Sequence, residues 1–115
     1  LIARSEAVLG ADEVRALRAA VSQIHASEAL IDYVQRLLAR SRHHPGVRVG
    51  LSPRAGLALL RASRAHALLR GREHALPEDV QTLFVAVAAH RLTADADGGD
   101  GKWLAEAILR AVAVD

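Results

Sequence analysis

Apolar residues recur at helical spacing along most of the chain. In residues 11–22, ADEVRALRAAVS, the positions Val14, Leu17 and Val21 repeat with the helical period. Asp12 and Glu13 stand in the first turn, where carboxylates suit the positive end of the helix dipole. Residues 1–9 read as a further helical stretch. Residues 27–42, SEALIDYVQRLLARSR, give a second helix with Ser27 as its N-cap. Leu30, Val34, Leu37 and Ser41 fall on one side, and Ile31 and Leu38 widen the stripe. Asp32 and Arg36 form an i,i+4 pair. HHPGVRVG (43–50) ends this helix, because a residue before Pro avoids α geometry and Pro-Gly is a turn.

A third helix spans about 52–70. Ser52 caps it, Pro53 fits its first position, and Gly71 is a natural stop. REHAL (72–76) is too short for a helix and reads as extended; it can pair with QIHAS (23–27) in a short two-stranded ribbon. A fourth helix runs over 77–91, with Glu78 and Asp79 in its first turn and Val80, Leu83, Phe84 and Val87 on its apolar face. TADADGGDG (93–101) has the composition of a flexible linker. A last helix over about 102–113 buries Leu104, Ile108 and Val112, with Trp103 as a further candidate. The pattern predicts an all-α protein: a small bundle of four to five helices. Residues 1–92 form the bundle, 93–101 a glycine-rich linker, and 102–115 a detachable-looking C-terminal helix of the same domain.

Composition agrees. Hydrophobic residues make up 51% of the 115 residues, so the chain is not of disordered type. Aromatics are only 3%, and Ala and Leu supply much of the rest, which favours packed helices over sheets. The net charge is +2 and nearly all cations are Arg, so charge alone does not imply nucleic acid. There is no Cys, which excludes disulfides, thiolate metal sites and a thiol nucleophile, and fits a cytoplasmic protein. No apolar run approaches the roughly 18–20 residues of a membrane helix. The chain opens on Leu1 and contains no Met, which predicts a piece of a longer protein.

Most motif-like stretches dissolve on inspection. GGDGK (98–102) fails the phosphate-loop pattern at both ends, since the spacing to an earlier Gly is wrong and Trp103 follows Lys102. No His pair stands at i,i+4 around a carboxylate, so a helical zinc site is not expected and the histidines read as surface or capping residues. Ser, His and Asp are present without a nucleophile elbow. No catalysis by this chain alone is expected.

Arginine is more informative. Arg54 and Arg61 lie two turns apart on one face of the third helix, with Arg64 a turn further on. For Arg61 and Arg64 a solvated polar face explains the pattern equally well. Arg54 stands in the first turn, where a cation is mildly unfavourable. An anionic ligand there would reverse that sign, because free backbone N–H groups and a guanidinium together make an anion site.

Residues 32–92 resemble the C-terminal lid subdomain of MoxR-type AAA+ ATPases, relatives of the lid of the magnesium chelatase ATPase subunit. The resemblance rests on Asp32 and Tyr33, on SRHHPGVRVGLSPRA (41–55), on GREHALPEDV (71–80) and on AHRL (89–92). It extends more weakly over 1–31 and 104–114. Where the family has a capping Thr, this chain has Leu76; Ser41 replaces a frequent Thr; the 93–101 insertion is particular to this chain.

The resemblance implies a specific role. Arg54 would be the sensor-2 arginine that reaches the γ-phosphate of ATP, with Ser52 and Pro53 setting its position at the nucleotide. ATP and Mg2+ would be bound in the full-length protein, whose Walker A and B motifs and arginine finger would precede Leu1. The implied partners are the N-terminal AAA+ core, further copies in a ring, usually a hexamer, and a protein with a von Willebrand factor A domain. The implied work is chaperone-like remodelling or metal-cofactor insertion. The alternative class is a basic helical module that binds nucleic acid through Arg48, Arg54, Arg61 and Arg64, or one that packs on a protein partner. A steep salt dependence would mark the nucleic-acid binder. The low net charge and scarcity of stacking aromatics weigh against it.

Overall fold

The computed structural model describes residues 10–45, 47–94 and 101–114. The order of elements is α1 (Ala11–Ser22), α2 (Glu28–His43), β1 (Val47–Val49), α3 (Pro53–Leu69), α4 (Pro77–Ala88), β2 (Thr93–Ala94) and α5 (Gly101–Ala111). The all-α bundle expected from the pattern is present. The helical stretch expected over 1–9 lies outside the described residues.

The helix starts follow local chemistry. Ser27 Oγ accepts the Leu30 N–H at 3.1 Å, and Ser52 Oγ accepts the Ala55 N–H at 3.2 Å. Pro53 occupies the first helical position of α3, where its missing N–H costs nothing. Gly71 ends the α3 segment with φ +77°, the one positive φ among the described residues. Leu76 cannot cap α4 with its side chain. Its N–H instead donates to Asp79 Oδ2 at 2.7 Å, the reciprocal half of a capping box.

One hydrophobic core joins α2, α3, α4 and α5. Tyr33, Leu37, Leu59, Phe84, Leu104 and Ile108 are the largest apolar side chains shut off from solvent. α3 packs most extensively on α4, and α5 packs on both α4 and α2. The C-terminal helix is therefore a built-in wall of the bundle, not a detachable one. The following tail is also held: the Arg36 guanidinium donates to the Ala113 and Val114 carbonyls while paired with Asp32 at 3.0 Å. Trp103, expected as a candidate for burial, is 52% exposed.

Three further expectations are refined. The ribbon between 23–27 and 72–76 exists as a single parallel bridge, His25 to His74, with the His25 N–H donating to the Glu73 carbonyl. α4 stops at Ala88 instead of 91, and residues 89–91 turn. A two-stranded antiparallel pair, β1 with β2, was not expected. The stretch 93–101 gives Thr93 and Ala94 to β2 and Gly101 to α5, while 95–100 lie outside the described residues. Among the described residues no helix is long and apolar enough to cross a membrane.

Candidate functional site

The site is built at the start of α3. The segment leading into it is pinned to the end of α2. Ser41, fully buried, donates from Oγ to the Leu38 carbonyl at 2.6 Å and accepts the Leu51 N–H at 2.9 Å. One hydroxyl thus ties the last turn of α2 to the residue before the α3 cap. A Thr at this position would supply the same hydroxyl. Gly50 completes the seam: a Cβ there would stand 2.8 Å from the backbone of Arg42. Leu51 is buried as an anchor. Ser52, Pro53 and Arg54 emerge from this seam exposed, at the mouth of a 17-residue helix.

Arg54 is therefore fixed at its base and open at its tip. α3 has no acidic residue in its first turn, and no ion pair reaches Arg54 among the described residues. Pro53 has no N–H and Ser52 Oγ takes that of Ala55, so the Arg54 N–H is the one left open in this turn, and with the guanidinium it is suited to binding an oxyanion. Arg61 and Arg64 lie further along α3, beside α1, and Arg48 lies on β1.

A second cluster was not legible as a unit in the sequence. Asp79 of α4 has no exposed side-chain surface and sits among three partners. His66 of α3 donates from Nδ1 to Oδ1 at 2.6 Å, and Arg72 forks onto both oxygens at 2.6 and 2.9 Å. The Leu76 N–H supplies the remaining contact. Burial alone would raise the Asp79 pKa. The hydrogen bonds from Arg72, His66 and the Leu76 N–H outweigh it and hold the carboxyl down at about 2. Hydrogen bonding to Asp79 is also the main reason the Arg72 pKa is raised. This corrects the reading of all histidines as surface or capping residues: His66 is part of a buried clamp. The missing cap at Leu76, with Asp in the third helical position, was the available signal.

The clamp joins the last turn of α3 to the first turn of α4, so it fixes the axis whose far end carries Arg54. Among the described residues no group of three or more His, Cys, Asp or Glu could hold a metal ion.

A small all-α body with an open arginine at one helix mouth matches a known class of domain. The chain belongs to the AAA lid domain family, whose model matches residues 39–112. Among curated relatives it is 31% identical over 93% of its length to YeaC, an uncharacterised protein of Bacillus subtilis. It is 31% identical over 77% of its length to the chaperone MoxR1 of Mycobacterium tuberculosis. It also resembles the crystal structure of a candidate ATPase from Cytophaga hutchinsonii, with a TM-score of 0.82 and 26% identity over 89% of this chain and 35% of that one. These matches bear out the likeness to MoxR-type AAA+ lids. The chain spans 33% of the length of the Bacillus relative and 26% of the Mycobacterium one.

Proposed function

We propose that this chain is the lid of an ATP-hydrolysing machine and that Arg54 is its sensor-2 residue. The observation that carries the reading is a cation standing exposed and unpaired at a rigidly seated helix N-terminus, where it is unfavourable unless an anion arrives. The γ-phosphate of ATP is such an anion. Hydrolysis redistributes charge over its oxygens, and a bidentate guanidinium stabilises that charge.

In this account the chain's own residues do three things. Ser52 and Pro53 set the first turn. The seam at Ser41, Gly50 and Leu51 holds that turn against α2. The Asp79 clamp makes α3 and α4 move together. When phosphate leaves, Arg54 loses its partner and the lid rotates as a body against the nucleotide-binding core. The core, which would hold Walker A, Walker B and Mg2+, belongs to the longer polypeptide in this reading.

The same account places the full-length protein in the cytoplasm, in a ring of several copies, with six as the expected number. It assigns the ring chaperone-like remodelling or metal-cofactor insertion, with a von Willebrand factor A domain protein as partner. The similarity to a chaperone MoxR1 supports the remodelling role. Arg54→Ala in the full-length protein tests the site, read as ATP turnover. Near-normal turnover would remove Arg54 from the nucleotide site.

A further inference from the structure

The connection between α1 and α2 runs beside the connection between α3 and α4. The His25 N–H donates to the Glu73 carbonyl at 2.9 Å, and the Ala75 N–H donates to the His25 carbonyl at 2.8 Å. This pattern makes His25 and His74 direct partners in a parallel bridge. Such partners stand about 4.8 Å apart and send their side chains to the same face. Burial follows the same alternation: Ile24 and Ala75 turn into the core, whereas His25 and His74 are exposed.

Both histidines also line one cleft of about 290 Å³, together with Ser27, Tyr33 and Pro77. Their ring nitrogens are uncommitted. His43 and His66 each spend Nδ1 on a neighbour, the Ala39 carbonyl and Asp79; the rings of His25 and His74 have no such partner among the described residues.

We propose that His25 and His74 together bind a divalent transition cation of the Zn2+, Ni2+ and Cu2+ class. Imidazole nitrogens suit these ions, whereas Mg2+ and Ca2+ take oxygen. Two nitrogens held roughly 2.0 Å from a tetrahedral cation stand about 3.3 Å apart, a separation within reach of side chains on neighbouring extended segments. No third His, Cys, Asp or Glu completes the set among the described residues, so water fills the other positions and the site stays open to the cleft. The cation staples the α1–α2 connection to the one that carries Arg72 and Leu76, two of the groups that hold Asp79. α1 has no fully buried side chain, so its hold on the bundle gains most. A cation that binds the folded chain stabilises it by mass action. The proposal does not depend on the role of Arg54.

The test uses the untagged, metal-free chain and Zn2+ alone. Zn2+ is expected to raise the melting midpoint and to shift the NMR ring signals of His25 and His74 together, at one ion per chain. Mg2+ at the same concentration is expected to do neither. His25→Gln and His74→Gln, both at exposed positions, should melt like the parent in chelator. Each should weaken Zn2+ binding at least tenfold, since even a residue that only supports a metal ligand costs about that much. Removing either ring should also free the other from Zn2+. If the His74 signals of His25→Gln still respond to Zn2+ as in the parent, the two are separate surface histidines and the proposal falls. Shifts centred on His43, His44 or His90, an equal response to Mg2+, or no response to millimolar Zn2+ also overturn it. So does a Zn2+-dependent dimer, which would give the two rings to different cations between copies.

Discussion

Asp79 holds its charge against burial because His66, Arg72 and the Leu76 N–H surround it. Removing the carboxylate leaves the His66 ring N–H and the Leu76 N–H without their partner, and the Arg72 guanidinium with only the exposed Glu78 at 3.3 Å. Asp79→Ala is expected to cost about 3 kcal/mol in urea unfolding, the scale for breaking a buried charged network. A loss under about 1 kcal/mol would mean the clamp is not structural. The pH dependence follows from the direction of the shift. The folded carboxyl sits at about 2, below its ordinary 3.8. Its contribution is complete above roughly pH 4–5, declines as pH falls toward 2, and is gone once both folded and unfolded chains are protonated. Chain stability measured from pH 7 downwards should show this loss, and Asp79→Ala should flatten it. Arg54 behaves oppositely. In the chain alone it opposes the helix dipole, so Arg54→Ala should leave stability unchanged or raise it by about 0.3 kcal/mol. A fall of more than about 1 kcal/mol would show a hidden structural partner.

At the scale of elements, the seam between α2 and α3 decides where the candidate site sits. Ser41→Ala strands the buried Leu51 N–H and is expected to destabilise by about 1–3 kcal/mol; Ser41→Thr should recover much of it. Thermal melts of both variants check this, and an unaffected Ser41→Ala chain would mean the seam is not held by the hydroxyl. Much of this level was legible in the sequence. Ser27, Ser52 and Gly71 mark helix ends by chemistry that is local, and the α2 stripe carries its own period. The parts that were not legible depend on distant residues. β1 and β2 are short strands whose pairing partners lie far apart in the chain. Asp79 resembles any first-turn acid until His66 and Arg72 close on it. α5 follows a glycine-rich stretch, which says nothing of where its apolar face will land.

For the whole molecule, the bundle is a body whose core runs through α2, α3, α4 and α5, with α1 laid along its outside. The candidate site was more legible than its setting. A cap, a proline and an arginine of the wrong sign for a helix start pointed to Arg54, whereas the Asp79 clamp appears only when the helices are packed. The account's central claim is that a rigid lid presents Arg54 to a nucleotide. The most direct measurement is steady-state ATP turnover of the full-length protein carrying Arg54→Ala, beside a melting curve of the same variant. The account predicts a fall of about 100-fold, the scale of removing one oxyanion-stabilising group, with the melting curve unchanged. Turnover within about twofold of the unmodified protein would contradict it.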